Sequence, residues 1–207
     1  MVTVAGCDKQ SKSFLALGDS YTIGESVPES ARWPVQLAGM LRKDKVDVGD
    51  PIIIAKTGWT TDELSAAIDA AKIDGKEFDL VTLLIGVNNQ YRNRSSDEYR
   101  TQFAALLTRA IKFARGDARH VIVMSIPDWG VTPFAEGRDR AQIGREIDLF
   151  NKIAREETER AGSRYVDVTP LSREFKSLVA EDGLHPSGEM YRRWAEAALA
   201  DARAALK

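Results

Sequence analysis

The sequence predicts an α/β protein built as a three-layer α/β/α sandwich, with a mostly parallel five-stranded sheet between two layers of helices. Apolar runs of strand length alternate five times with segments of helical periodicity. Such alternation is typical of βαβ units, whose crossovers are right-handed. The length of 207 residues also fits a single domain with a sizeable core.

Five short apolar runs predict the strands. They cover residues 14–17, 52–55, 78–85, 121–124 and 165–168. The second run, Ile-Ile-Ile-Ala, is β-branched and unbroken, so we expect it to be buried on both faces. Gly18, Gly86 and Pro127 follow the first, third and fourth runs and are predicted to end these strands.

Helical periodicity and capping patterns predict the helices. They cover 32–43, a segment opening at 60, a segment opening at 95, 145–160 and a segment opening near 187. Thr60 and Glu63 have the spacing of a capping box, and Ser95 and Glu98 repeat that spacing. Trp33 and Trp194 fall at helical spacing and are predicted to lie in the core.

Composition excludes several classes of function. The 29 basic residues against 31 acidic ones give a net charge of -2, without the clustered positive charge of a nucleic-acid-binding protein. No apolar run has the length needed to span a bilayer. One cysteine and two histidines permit no internal disulfide and argue against a Cys/His zinc site. Composition does not fix the oligomeric state.

The N-terminal segment Val4–Cys7 resembles a bacterial lipobox, the signal that precedes a lipid-modified cysteine. Six residues before Cys7 are too few for a complete leader, so two alternatives stay open. If the chain is truncated, we expect a periplasmic or lipid-anchored protein, attached through Cys7. If the match is accidental, we expect a cytoplasmic protein. In both cases residues 1–12 are predicted to be a flexible tether and 13–207 a single domain.

Polar segments follow each predicted strand. They are 18–20, 56–59, 86–89, 127–129 and, after a longer excursion, 182–186. In an open parallel sheet, ligands bind beyond the carboxyl ends of the strands, so we expect these segments to meet at one edge, the carboxyl edge. His120 precedes the fourth strand and is expected at the opposite edge, which leaves His185 as the only imidazole base.

Ser20 and His185 at the carboxyl edge suggest nucleophilic catalysis. A serine hydroxyl is a weak nucleophile until a base takes its proton, and a third group usually orients that base. Asp182 precedes His185 by three residues, so one helical turn would place both side chains on the same side. The carboxylate would orient the imidazole of His185 and stabilise the imidazolium formed in the reaction.

Three donors are predicted to form an oxyanion hole. They are the backbone N–H groups of Ser20 and Gly58 and the side-chain amide of Asn88. Gly58 has no Cβ to obstruct a substrate, and Asn88 carries two uncharged N–H donors. Asp19 is predicted to brace the nucleophile loop rather than to transfer a proton.

Four aromatic residues on the edge loops are candidates to line an acyl or sugar pocket. They are Trp59, Tyr91, Trp129 and Phe134. Aromatic side chains serve packing more often than binding, so both interpretations stay open for each of them.

Taken together, the edge segments resemble the SGNH branch of the GDSL hydrolases. Gly18-Asp19-Ser20 is similar to the nucleophile block of that family, Gly58 to its glycine block, Gly86-x-Asn88 to its third block and Asp182-x-x-His185 to its last. The matches run from residue 18 to residue 188 in the family's order. Tyr21 replaces the leucine of the family's name, and Asn89 stands where many members carry aspartate. We expect both departures to bear on substrate choice more than on mechanism.

The resemblance implies a flavodoxin-like sheet of strand order 2-1-3-4-5 and a shallow, solvent-open site in a single catalytic domain. It also implies esterase, lipase, thioesterase or carbohydrate-deacetylase activity without a metal or organic cofactor. The expected partner is a small-molecule ester, such as a small acyl ester or an acetylated carbohydrate, cleaved through an acyl-enzyme. Two alternatives remain: an acyltransferase with the same triad, and a non-catalytic flavodoxin-like binding module.

Overall fold

A computed structural model describes residues 11–207 and contains one five-stranded sheet. All neighbouring strands are parallel, and their order is β2-β1-β3-β4-β5. The strands are β1 (Phe14–Gly18), β2 (Ile52–Ala55), β3 (Leu80–Leu84), β4 (Val121–Met124) and β5 (Arg164–Val166). The predicted fold class and strand order are therefore confirmed.

Strand β2 differs from the prediction in its burial. It pairs with β1 alone and forms one edge of the sheet, and Ile52 is 50% exposed. The expectation that this strand is buried on both faces is wrong, because an edge strand has a neighbour on only one side. The central strands β1 and β3 are buried along their whole length.

Helices cover both faces of the sheet. They are α1 (Ser20–Ile23), α2 (Trp33–Lys43), α3 (Thr61–Ala70), α4 (Val87–Tyr91), α5 (Ser96–Phe113), α6 (Arg140–Ala161), α7 (Thr169–Glu174) and α8 (Gly188–Ala205). Helices α2 and α8 pack together on one face, and α3, α5 and α6 pack in sequence on the other. Trp33 and Trp194 are fully buried, which confirms their predicted place in the core.

Side-chain caps fix where several helices begin. Thr60 and Glu63 form the predicted capping box at α3. Ser95 accepts a hydrogen bond from the N–H of Glu98, but the Glu98 carboxylate binds Arg94 and Gln102, so the second capping box is only half formed. Helix α6 begins five residues before its predicted start, because the Asp139 side chain caps its first turn.

The N-terminal prediction is only partly within the described residues. Cys7 and the rest of residues 1–10 lie outside them. Ser11 donates a hydrogen bond to Asp47, and Lys12 forms a parallel bridge to Val48. The last two residues of the predicted tether are therefore fixed to the folded domain. Of the helices between residues 11 and 207, none has both the length and the apolar composition needed to cross a membrane.

His120 lies at the amino edge of the sheet, opposite the carboxyl edge. Its Nδ1 is 2.9 Å from the carbonyl oxygen of Asp79, the residue that directly precedes β3. The predicted separation of His120 from the carboxyl edge is confirmed.

Candidate active site

Loops at the carboxyl edge line an open cleft. Ser20, Gly58, Asn88 and His185 all lie in its wall. The fold thus brings four predicted segments, separated widely in sequence, to one cavity.

The end of β1 positions Ser20. The strand ends at Gly18, and Ser20 is the first residue of the one-turn helix α1. Asp19 caps that helix, because its Oδ1 accepts a hydrogen bond from the N–H of Tyr21 at 3.0 Å. The Ser20 side chain faces the cleft from a residue only 5% exposed. A strand-to-helix turn therefore holds the hydroxyl in a protected position.

Asp19 is a buried carboxyl group directly before Ser20. The residue is fully buried, and its Oδ2 has no hydrogen-bond partner among residues 11–207. Burial raises the pKa of Asp19 to about 7, against the lowering effect of its backbone hydrogen bonds. The bond to Tyr21 fits the predicted brace of the nucleophile loop.

Asp182 and His185 form a close pair behind the cleft. The Nδ1 of His185 is 2.6 Å from Oδ2 of Asp182, and Oδ1 accepts the backbone N–H groups of Leu184 and His185. Partial burial opposes ionisation of Asp182, but hydrogen bonds, first from Ser26 and then from His185, hold the pKa of this carboxyl well below its usual range. A charged acceptor on Nδ1 orients the ring and leaves Nε2 as the nitrogen that can act as a base.

The Ser20 hydroxyl and the His185 ring line the same cleft, and no hydrogen bond joins them in this structure. Hydrogen bonds between catalytic groups are often long before a substrate binds. The fold therefore brings the two side chains to one cleft without a hydrogen bond between them.

Two hydrogen bonds join the loop that carries Gly58 to helix α4 and the residue that follows it. Asn88 Nδ2 donates to the carbonyl oxygen of Trp59 at 2.9 Å, and Arg92 Nη2 donates to the carbonyl oxygen of Gly58 at 2.6 Å. The Asn88 amide has a second N–H, which remains for a ligand. Gly58 has a φ of +88°, and a Cβ there would meet only Arg92 at 3.6 Å. Backbone conformation, more than space, therefore favours glycine at this position.

Gly86 has a stricter requirement for glycine. Its φ is +131°, and a Cβ would lie 2.6 Å from the ring of Tyr99. Gly86 directly precedes α4, the helix that carries Asn88. The close approach of Tyr99 to this turn helps to fix where that helix begins.

Three of the four candidate aromatic residues line the cleft. Tyr91, Trp129 and Phe134 form a cluster with ring centroids 5.6–6.5 Å apart. Trp59 does not line the cleft, and its side chain packs against the core. A turn closed by a hydrogen bond from Trp59 N–H to Lys56 leaves the Trp59 carbonyl, not its ring, facing Asn88. Of the two interpretations left open for Trp59, its contacts favour packing.

A cation covers the aromatic cluster. The Arg138 guanidinium carbon lies 5.0–5.4 Å from the ring centroids of Tyr91, Trp129 and Phe134. Such geometry is favourable because the faces of aromatic rings carry negative electrostatic potential. The aromatic wall of the cleft is thus bordered by positive charge.

The two departures from the family pattern have different positions. The Tyr21 ring packs edge-on against His185, with centroids 5.8 Å apart, and lines the cleft. Asn89 is fully buried, accepts from the N–H of Thr61 at 3.1 Å and donates to its hydroxyl at 2.7 Å. The Asn89 amide therefore joins α4 to the start of α3, while its expected bearing on substrate choice stays a prediction.

Sequence reasoning missed Ser26 and Arg92, two polar neighbours of the site. Ser26 donates to Asp182 across 156 residues of sequence, and no motif marks such a contact. Arg92 follows Asn88 by four residues, so helical spacing could have placed both on one side of α4.

Within residues 11–207, no three His, Cys, Asp or Glu side chains are grouped so that they could hold a metal ion. The chemistry of the cleft is instead that of a hydroxyl, an imidazole–carboxylate pair and amide donors at the carboxyl edge of a parallel sheet. This combination of fold and site defines the class of α/β enzymes that act on acyl groups.

A family model places the chain within that class. The model of the GDSL-like Lipase/Acylhydrolase family matches residues 16–193. The chain belongs to this family and is a carboxylic ester hydrolase. No match is found among curated proteins.

Solved structures with the same fold include several esterases. The acetylxylan esterase Axe2 from Geobacillus stearothermophilus has a TM-score of 0.72 at 20% identity, over 93% of this chain and 94% of that one. The psychrotrophic esterase EstA from Pseudoalteromonas sp. has a TM-score of 0.71 at 16% identity, over 93% and 97% of the two chains. A lipase/acylhydrolase from Enterococcus faecalis has a TM-score of 0.72 at 17% identity, over 92% and 94%. At these identities the likeness shows the fold alone.

Proposed function

We propose that the protein cleaves carboxylic esters or thioesters through an acyl-enzyme, with Ser20 as nucleophile, His185 as base and Asp182 as the group that orients the base. The observation that carries the proposal is the 2.6 Å hydrogen bond between Asp182 and His185 at the wall of the cleft that holds Ser20. An imidazole oriented in this way presents its other nitrogen as a proton acceptor.

In the first step the Ser20 Oγ attacks the ester carbonyl carbon while its proton passes to Nε2 of His185. The carbonyl oxygen becomes an oxyanion, and the N–H groups of Ser20, Gly58 and Asn88 donate to it. The tetrahedral intermediate then collapses, the bond from carbon to the leaving oxygen or sulfur breaks, and His185 returns its proton to the leaving group. The product is an acyl-enzyme on Ser20.

In the second step water replaces the leaving group. His185 takes a proton from the water as its oxygen attacks the acyl carbon, and the same donors hold the second oxyanion. Collapse breaks the bond to Ser20, which recovers its proton from His185. The acid leaves, and the protein returns to its starting state.

The cleft supports a small acyl ester or an acetylated carbohydrate as substrate. Its wall includes the partly exposed rings of Tyr91 and Phe134. Exposed aromatic faces stack on sugar rings and also contact short acyl chains. Axe2, which shares the fold, is an acetylxylan esterase, and we extend the sugar-ester alternative to this chain as part of the proposal.

A fluorophosphonate probe and an ester panel test this function. We expect the probe to label the wild-type protein at Ser20, found by mass spectrometry, and to leave Ser20→Ala unlabelled. A panel of 4-nitrophenyl esters of increasing chain length, with acetylated xylo-oligosaccharides alongside, should show turnover by the wild type only. Absence of both labelling and turnover would favour a binding module. Transfer of the acyl group to an added alcohol in preference to water would identify an acyltransferase.

The Asn88→Ala variant tests the oxyanion hole. Removal of one such donor typically lowers kcat about 10²–10³-fold, because it stabilises charge that develops only in the transition state. Steady-state kinetics on the best ester of the panel measure this effect. A rise in KM with an unchanged kcat would place Asn88 in substrate binding instead.

A further inference from the structure

We infer that Ser26 is a positioning residue for the Asp182–His185 pair, a role that rests on the function proposed above. Its hydroxyl fixes the carboxylate of Asp182 and sets how strongly that carboxylate holds a proton on His185.

The contact is direct and specific. Ser26 Oγ donates to Oδ2 of Asp182 at 2.6 Å, and the same oxygen receives Nδ1 of His185 at 2.6 Å. The other oxygen, Oδ1, accepts the N–H groups of Leu184 and His185 at 2.9 Å each. Each carboxylate oxygen therefore has two donors. The carboxylate plane cannot rotate without breaking several of these bonds.

The backbone conformation at Ser26 would favour glycine, so the serine side chain at this position needs an explanation. Ser26 has a φ of +63°, in the left-handed region that glycine adopts without the cost a side chain imposes. What serine adds at this position is a hydroxyl group, and that hydroxyl is bonded to Asp182.

The turn that carries Ser26 begins at the nucleophile. The N–H groups of Gly24 and Glu25 both donate to the carbonyl oxygen of Ser20 at 3.0 Å. Glu25 also accepts a hydrogen bond from the hydroxyl of Thr57, the neighbour of Gly58. One short turn therefore connects Ser20 to the loop that carries Gly58, through Glu25, and to the loop that carries Asp182, through Ser26.

The charge on Asp182 determines the expected effect. A donor on Oδ2 withdraws part of the carboxylate charge that would otherwise stabilise the imidazolium. Without the Ser26 hydroxyl, Asp182 should stabilise the imidazolium more strongly, and the acid limb of kcat/KM should move to higher pH. The Asp182 side chain is 32% exposed, so water replaces part of the lost bond. Loss of this donor also leaves the carboxylate freer to tilt away from the imidazole, so we expect kcat to fall about two- to tenfold, the size of one hydrogen bond to a partly solvated charge.

Three variants separate the hydroxyl from the backbone. Ser26→Ala and Ser26→Gly both remove the hydroxyl, but glycine relieves the left-handed backbone and should raise Tm above that of the alanine variant. Ser26→Thr keeps a hydroxyl on a side chain that disfavours positive φ, so it should retain more activity at a lower Tm. If the inference holds, kcat and the acid limb will depend on whether a hydroxyl is present at residue 26. Tm will depend instead on how well the new residue tolerates a positive φ.

The measurements are kcat and KM across pH, thermal unfolding of each variant, and fluorophosphonate labelling of Ser20. Ser30→Ala is the matched control, since Ser30 makes no hydrogen bond to Asp182, and it should behave as wild type. Wild-type pH profiles and kcat in both Ser26→Ala and Ser26→Gly, with Ser20 still labelled, would overturn the role of Ser26 and leave the proposed function intact. Failure of the wild type to be labelled would overturn both.

Discussion

The sequence contains Asp-x-x-His twice, and the two copies lie at opposite edges of the sheet. At the carboxyl edge, Nδ1 of His185 is 2.6 Å from Asp182. At the amino edge, Nδ1 of His120 faces the carbonyl oxygen of Asp79, and its Nε2 is 3.7 Å from Asp117. The same spacing thus gives a close, oriented pair in one place and a loose pair in the other.

The residues inside each motif explain much of this difference. In Asp117-Ala-Arg-His120, the guanidinium of Arg119 binds the carboxylate through Nε and Nη2, at 3.0 and 2.6 Å. These hydrogen bonds hold the pKa of Asp117 far below its usual range. In Asp182-Gly-Leu-His185, no cation lies between the acid and the histidine, so the carboxylate remains free for the imidazole. The comparison shows that spacing alone does not make an oriented acid–imidazole pair.

The carboxylates next to the central strands also differ between the two edges in how well they are paired. Asp79, before β3, accepts from the N–H and hydroxyl of Ser13 and pairs with Arg115 at 3.2 Å. Burial opposes ionisation of Asp79, but these contacts outweigh it and lower the pKa. Asp19, after β1, has an unpartnered oxygen within the described part of the chain and a pKa raised to about 7. The acid at the amino edge is stabilised in its charged form, whereas the carboxyl edge keeps an unfavourably buried acid beside Ser20, the proposed nucleophile.

Replacement of each histidine should separate the two edges most clearly. We expect His185→Ala to lower kcat/KM by about 10⁵-fold or more, because no other imidazole reaches the cleft, and His120→Ala to leave it nearly unchanged. Ester hydrolysis by both variants at one pH measures the contrast. A similar loss in the two variants would mean that His120 takes part in the reaction or that neither histidine is the base.

Replacement of each acid should give a smaller contrast of the same sign. Asp182→Asn removes the charge that stabilises the imidazolium, and we expect kcat to fall by about 10²–10⁴-fold. Asp117→Asn removes a pairing with Arg119 on the surface, and we expect wild-type kcat. The two rates are compared on the same ester. Near-normal kcat in Asp182→Asn would show that the hydrogen bond at 2.6 Å has no part in catalysis.

Sequence reasoning predicted the frame of the molecule because strands and helices have distinct apolar periods. It failed where the outcome depends on how elements are arranged. The Ile52–Ala55 run has the composition of a central strand, but its place at the sheet edge exposes Ile52. Helix α6 begins at Arg140, where the first three residues are exposed and the Asp139 cap marks the start.

The site was predictable to the extent that its residues directly follow strands. Ser20, Gly58 and Asn88 reach one cleft because parallel strands end at one edge. Direction of side chains was not predictable, since Trp59 turns to the core while its neighbour Gly58 lines the cleft. The contact of Ser26 with Asp182 depends on a left-handed turn that no residue pattern announces.

Asp19→Asn should change how stability depends on pH. The pKa of Asp19 is about 7 in the folded protein and near 3.8 when unfolded, so between these values the folded state holds a proton that the unfolded state has released. Stability from this group therefore falls as pH rises from about 4 to 7. The variant should lose this pH dependence. Its free energy of unfolding relative to wild type should therefore be higher at pH 7.5 than at pH 4.5, by on the order of 1–4 kcal/mol. Urea unfolding at both pH values measures it, and parallel curves for variant and wild type would contradict the raised pKa.

Asp79→Asn should change the pH dependence of stability in the opposite direction and by a smaller amount. The pKa of Asp79 is lowered in the folded protein, so its contribution to stability is present above its ordinary value near 3.8 and is lost as pH falls. We expect the variant to lose about 1–2 kcal/mol at pH 7, the cost of weakened bonds to Ser13 and Arg115, and to approach wild type in acid. Asp74→Asn, at a largely exposed side chain, is the control and should track wild type throughout. If Asp79→Asn and Asp19→Asn changed the pH dependence of the free energy of unfolding in the same direction, the two buried acids would not differ as we infer.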